Sequence, residues 1–276
     1  MASEPTQRPD YFFKRGVQSS VRLNYNHWLM KELTGYLIHP AIPANKPDLW
    51  VADLGSGTNI WALEVAAHLP ETARIDGFDI SGDQYAPATS RPSNLHLHIQ
   101  DCFKPFSSEF VGAFDVVYAR FWLCLVNNPD ASDLLKNMIS LLNPGGYLQW
   151  LEPLPLSVRG VHPSAEGSNT AIDRLVSHLH KPTENKTYDW IGKLPELFCE
   201  QGLEVIAADR ILFPKHLRHA WHHSLLVAFE DRAQGDTPSD NGEDQKIWIS
   251  QLMEAFANGS YIDSPFICVV GRKKSC

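Results

Sequence analysis

The chain has 276 residues, 43% of them apolar and 20% charged, an ordinary balance for a folded globular protein with one main core. Its formal charge of −8 argues against a protein that grips nucleic acid through a broad basic surface. No apolar stretch approaches the ~20 residues that a membrane helix needs, so no membrane contact is predicted.

Residues 1 to about 15 are polar and proline-bearing and read as a loose tail. Residues 18–38 read as a helix, with Val21, Tyr25, Trp28, Leu29, Leu33 and Leu37 at helical spacing. That pattern makes Tyr25 and Trp28 either plain core residues or, with His27, part of a lid over a ligand. A turn-rich linker, 39–47, follows. Residues 49–54 (LWVADL) are an apolar strand ending beside a carboxylate, Asp53. The strand runs straight into Gly55-Ser56-Gly57-Thr58-Asn59, and residues 60–69 then read as a helix.

A strand, a Gly-x-Gly turn and a helix form a ligand cradle in a parallel α/β sheet. Gly55 and Gly57 let the backbone approach a ligand where a Cβ would collide. The turn is not a G-x-G-x-x-G dinucleotide fingerprint. Asn59 stands where a G-x-G-x-G reading wants a third glycine, and asparagine is among the non-glycine residues most tolerant of positive φ. Asp53 at the strand tip would repel a pyrophosphate and would welcome a cationic ligand.

The next strand, residues 73–81, ends at Asp79, 20 residues past Asn59, where an acid typically accepts bonds from ribose hydroxyls. Residues 95–103 alternate like a third strand leading to Asp101 and Cys102, and an acid there can accept from an adenine amino group. Residues 114–120 (FDVVYAR) form a fourth strand. A helix over 132–142, with Asp130 or Ser132 as its cap, leads to Asn143-Pro144-Gly145-Gly146 and a fifth strand ending at Glu152.

From about Asp48 to Glu152 this order and spacing resemble the class I S-adenosylmethionine-dependent methyltransferases. The resemblance implies an α/β fold: a Rossmann-like, seven-stranded, mostly parallel sheet with an antiparallel last strand, helices on both faces and an N-terminal helical lid. It implies S-adenosyl-L-methionine as cofactor. Its amino-acid end would be held by Asp53, Gly55 and Gly57 with Ser56, its ribose by Asp79 with Ile80, and its adenine by Asp101 with Cys102. The FDVVYARF segment matches the motif that lines the methyl-donor pocket, near Ala119, Arg120 and Phe121. Tyr25 joins the cofactor set as a lid residue, and Trp28, Phe121, Trp122 and His222 are the expected acceptor pocket.

Residues 20–28 (SVRLNYNHW) look like the Arg-Leu-Asn-x-Gln-His lead-in of fungal methyltransferases of secondary metabolism, with Asn26 in place of Gln. The kinship implies methyl transfer to an O or N acceptor on a small molecule. It leaves open a cofactor-binding regulatory protein and a non-methylating cyclase. Domain boundaries are read as 1–47 for tail and lid, and 48–276 for the methyltransferase domain, with acceptor-side insertions at about 153–200 and 214–260.

After Glu152 the pattern loosens. Helices are read at 170–180, 190–201, 216–230 and 247–258, with strands at 203–213 and 264–272. A phenol or hydroxyl acceptor needs a base, for which His162, His219 and Glu152 are the candidates. His219 and His223 stand four residues apart, but there is no H-E-x-x-H and no third ligand in pattern, so no metal is predicted. Five cysteines in no C-x-x-C pair, with no secretory segment, predict reduced thiols and a cytoplasmic protein. A homodimer is compatible with all of this.

Overall fold

The computed structural model describes residues 15–126, 131–163, 169–180, 187–233 and 242–275. In chain order the elements are α1 (Val17–Thr34), β1 (Trp50–Leu54), α2 (Ile60–His68), β2 (Arg74–Asp79), β3 (Leu95–Ile99), β4 (Phe114–Arg120), α3 (Ser132–Leu141), β5 (Leu142–Pro153), β6 (Arg159–Val161), α4 (Thr170–His180), α5 (Asp189–Gly192), α6 (Leu194–Glu200), β7 (Leu203–Ile211), α7 (Lys215–Ala233), α8 (Gly242–Ala257), β8 (Tyr261–Asp263) and β9 (Phe266–Lys273).

Seven strands form one sheet in the order β3-β2-β1-β4-β5-β9-β7. The first five neighbours pair in parallel, and β9 runs antiparallel between β5 and β7. This is the expected sheet. The chain reverses outward at β1, where β2 and β4 lie on either side. That topological switch point is where open α/β sheets bind ligands.

Period-two alternation sends neighbouring side chains of each strand to opposite faces. Ala52, Leu54, Val117, Ala119, Leu148 and Trp150 join one core, with Phe78, Phe106, Phe110 and Phe114 and the helices α3, α5 and α6. Leu49, Val51, Ile75, Val116 and Tyr118 join the other, against Trp61, Ala62 and Val65 of α2. Asp53 and Arg120 continue the second parity, so their side chains share the α2 face. A third apolar cluster lies apart from the sheet and unites α4, α7 and α8 with Val158 and Ile262. It gives these helices a core of their own.

Four expectations are corrected here. The apolar spacing of the first helix does not mark its buried face. Val17, Val21 and Trp28 are exposed, whereas Ser19, Arg22, Asn26 and His27 are buried with Leu29 and Met30. Gly35, at φ 78°, ends that helix before residue 38. The helix read over 190–201 is two short ones, because Pro195 can sit only at a helix start. Finally, α3 starts at Ser132 with Ala131 in the cap position and no side-chain cap bond, so Ser132 is not the cap. Asp130 lies outside the described residues.

Candidate active site

The glycine turn is fastened to β2. The amides of Gly55 and Ser56 both donate to the Phe78 carbonyl, at 2.8 and 3.0 Å. Gly55, Gly57 and Asn59 take positive φ of 67°, 54° and 62°. Asn59 meets its conformation as its residue type allows, and its Nδ2 donates to Ser56 Oγ at 2.8 Å. A Cβ on Gly55 would lie 3.0 Å from the Trp122 ring, and one on Gly57 would lie 3.3 Å from Leu23. Gly55→Ala is therefore expected to lower stability by about 1–2 kcal/mol through positive φ and crowding, a drop that a thermal melt of the free protein would show.

Asp79 closes the turn from the β2 side. Its Oδ2 accepts from the Gly57 amide at 2.9 Å and its Oδ1 from the Ser81 amide at 3.2 Å. Burial raises its pKa, and those amides oppose the rise. A carboxylate has about four lone-pair positions, so with the Gly57, Ser81 and Ile80 amides on it Asp79 keeps capacity for a further donor. Ile80 beside it is exposed. Asp101 holds the Phe103 amide at 3.1 Å. Cys102 is buried, and burial together with nearby Asp79 and Asp101 drives its thiol pKa up, so it stays protonated.

Asp53 is buried, and burial lifts its carboxyl to about 7. Arg120 offsets part of that rise and Asp79 adds to it. The cation Arg120 and the Ala62 amide favour its charged form without fully offsetting that burial. The nearby indole has an unmet need: Trp122 Nε1 is a buried donor with no hydrogen-bond partner among the described residues. The ring atom next to it would lie 3.4 Å from a Cβ on Gly55. The turn thus presents a buried acid, a donor short of an acceptor, and two glycines that leave the backbone bare. These residues fit the amino-acid and ribose portions of S-adenosylmethionine.

The first helix lies over this turn, though not through the residues expected. Thr58 donates to Asn24 at 2.6 Å, Leu23 meets Gly57, and Gln84 donates to Ser20 at 2.9 Å. Tyr25 faces α7 instead, its hydroxyl on the Ala220 carbonyl at 3.3 Å, and Trp28 is exposed. On its other side α1 meets α7 through polar pairs. Ser19 donates to Asp231 at 2.6 Å, Arg22 bridges to the same carboxylate at 3.4 Å, and Ser224 bonds Asn26.

The three residues expected as bases stand in different parts of the fold. Glu152 is fully buried. Its Oε1 accepts from the Trp122 amide at 2.5 Å and the Trp150 indole at 2.8 Å, and its Oε2 from the Leu123 amide at 3.3 Å. It is an anchor for the turn after β4, where Phe121 takes a left-handed φ of 59°. His162 pairs with Asp173 of α4 at 3.5 Å. His219 stands on the exposed side of α7, its ring 4.1 Å from that of His223. His222, expected in the pocket, is buried against Phe256 and takes the Ile262 amide at 3.3 Å; burial lowers its pKa to about 4. Of the remaining pocket candidates, Phe121 packs on Phe266 and Trp122 walls the glycine turn.

Sequence reading missed two groups. One is Glu64, on the outer side of α2, which His27 meets at 2.6 Å. The other is Asp231, beyond any local pattern, which holds α1. A groove of about 380 Å³ between α1 and α2, lined by Tyr36, Leu37, Val65 and Leu69, lies away from the turn.

Residues 51–146 match the family of methyltransferase domains. The chain is 33% identical to N-methyltransferase tcpN of Claviceps purpurea over 140 residues, 50% of each chain. It is 31% identical to N-methyltransferase gliN of Aspergillus fumigatus over 180 residues, 63% of each. It spans about half to three fifths of the length of the first curated relatives it matches. Among solved structures, phosphoethanolamine N-methyltransferase 2 of Haemonchus contortus, in complex with S-adenosyl-L-methionine, superposes with a TM-score of 0.52 at 14% identity, over 91% of this chain and 53% of that one. The [4+2]-cyclase SpnF superposes with a TM-score of 0.53 at 15% identity, over 94% and 96% of the two chains. At these identities the structural likeness speaks for the fold alone.

Proposed function

We propose that this chain, whose core is a class I S-adenosylmethionine-dependent methyltransferase domain, transfers a methyl group to a nitrogen or oxygen acceptor on a small molecule of fungal specialised metabolism. When bound, the cofactor supplies a methyl group already activated on a sulfonium. Asp53 would hold its ammonium, Asp79 its ribose hydroxyls and Asp101 its adenine side. The single observation that carries the reading is Asp53, a buried acid at the tip of β1 beside a glycine turn whose backbone is bare.

A nitrogen acceptor is the favoured form. Several relatives are N-methyltransferases by name, including tcpN, gliN, verN and sirN. An amine brings its own lone pair, so its methylation depends on positioning more than on a strong base. The structural duties of Glu152 and His222 agree with that. We read the protein as cytoplasmic; no described helix is long and apolar enough to cross a membrane.

Calorimetry with S-adenosylmethionine and S-adenosylhomocysteine is the first test. Asp79→Ala should weaken both by about 1.5–3 kcal/mol, the worth of a charged hydrogen bond. Unchanged affinity would refute the ribose assignment. Incubation with cofactor and amine-bearing fungal metabolites should yield a product one CH2 heavier. A product of unchanged mass would point to a cyclase, whose fold this chain shares. A stable complex with another protein and no turnover would point to a regulator.

A further inference from the structure

His27, the one imidazole of α1, is fully buried, and both of its ring nitrogens are engaged. Nε2 lies 2.6 Å from Glu64 Oε2, and Nδ1 lies 3.3 Å from an Arg120 guanidinium nitrogen. Arginine has only donors to offer, so Nδ1 must present its lone pair. Nε2 then carries the hydrogen and donates it to Glu64. The imidazole is neutral in this arrangement. Burial is the main reason its pKa falls to about 4; Arg120 and Lys31 lower it further, against the pull of Glu64. Glu64 itself is drawn low despite some burial, because Lys31 and His27 both donate to it.

The far end of this chain of bonds is the site. Strand parity puts Arg120 and Asp53 on the same face, at the tips of adjacent strands. The Arg120 charge reaches the Asp53 carboxyl and lowers its pKa. Beneath Arg120, Tyr118 stacks on Trp61 with ring centroids 3.9 Å apart and planes 8° apart, a rigid floor. His27 takes one edge of a five-donor fork. A cation with donors to spare beside a buried acid is the complement of a zwitterion. An α-amino acid group carries the carboxylate for the first and the ammonium for the second.

We propose that His27 is a positioning residue: clamped between Glu64 and Arg120, it aims the guanidinium at the carboxylate of the cofactor's amino-acid half and so ties α1 to cofactor binding. The assignment rests on the cofactor reading above and extends it to three residues on three elements. It makes α1 a cover whose seat depends on a neutral histidine, with no direct contact between that histidine and the cofactor.

Two ligands separate this role from a merely structural one. S-adenosylhomocysteine has the amino-acid half, and 5′-deoxy-5′-methylthioadenosine has the same adenosine and sulfur without it. Calorimetry on His27→Phe should show S-adenosylhomocysteine weakened about tenfold with methylthioadenosine unchanged, the loss appropriate to a displaced charge-assisted contact. Arg120→Met should show a selective loss at least as large, and the double variant should be no worse than Arg120→Met alone. Equal losses for both ligands, no loss, or additive losses in the double variant overturn the proposal. If His27→Phe does not fold, Glu64→Ala carries the test: a selective loss of about threefold or more supports the assignment, and an unchanged ratio of the two affinities overturns it. A parent protein that binds neither ligand sinks the cofactor reading, and this assignment with it.

Discussion

Asp53→Asn should make the free protein more stable at pH 8 while crippling its hold on the cofactor. The sign follows from the direction of the shift. Burial raises the folded-state pKa of Asp53 from 3.8 to about 7. An acid shifted upward favours the folded chain least when ionised, so the parent loses stability as pH rises from about 4 and reaches its lowest plateau above 7. Each pKa unit is worth ~1.4 kcal/mol, and asparagine escapes the penalty while keeping the shape. A gain of about 2–4 kcal/mol at pH 8 is expected, roughly 4–12 °C in melting temperature for a chain of this size, shrinking to little at pH 4. Melts across that range check it; a variant that is less stable at pH 8, or a difference flat in pH, would show that the carboxylate is already neutralised.

The cost falls on binding. A buried carboxylate facing an ammonium contributes about 2–3 kcal/mol, so affinity for S-adenosylmethionine should drop roughly 30- to 150-fold. The parent itself should release protons when the cofactor binds near pH 7, since an incoming cation pulls the Asp53 pKa down. Calorimetry in buffers of different ionisation enthalpy would register that release, and Asp53→Asn should abolish it. Stability is surrendered here in the free state and recovered on binding, as at many functional sites.

The parts of this site that were legible in the sequence are those whose chemistry is local. Gly55, Gly57 and Asn59 announce a positive-φ turn by residue type, and all three adopt it. Asp53 and Asp79 are placed by their spacing from the glycine turn, and both lie at the C-terminal ends of adjacent parallel strands. The first helix shows why the rest was hidden. Its apolar spacing nominated Val21, Tyr25 and Trp28, yet the buried face is Arg22, Asn26 and His27. Those polar groups are buried because Asp231, Ser224 and Glu64 satisfy them, and these partners come from α7 and α2, as many as 209 residues away. Hydrophobic periodicity reads burial only when the burial is apolar. A polar seam is specified by pairing, which a single sequence does not display.

Glu152 carries the same lesson into energetics, and it yields the sharpest contrast between a catalytic and an architectural role. As a general base its loss would abolish turnover and leave a stable, cofactor-binding protein. As an anchor its loss would leave three donors without partners: the amides of Trp122 and Leu123 and the Trp150 indole. Each such orphan costs about 1–3 kcal/mol, so Glu152→Ala should destabilise the fold by about 3–5 kcal/mol. Glu152→Gln should also be costly, because one carboxylate oxygen becomes an NH2 group that confronts an N–H. Trp122 would lose the bond that holds it over Gly55, and cofactor affinity would fall along with stability. Denaturant titration of both variants decides the matter: full stability with lost turnover would return Glu152 to the list of bases, whereas a lowered midpoint in both confirms that β5 uses its terminal acid to shape the β4 turn.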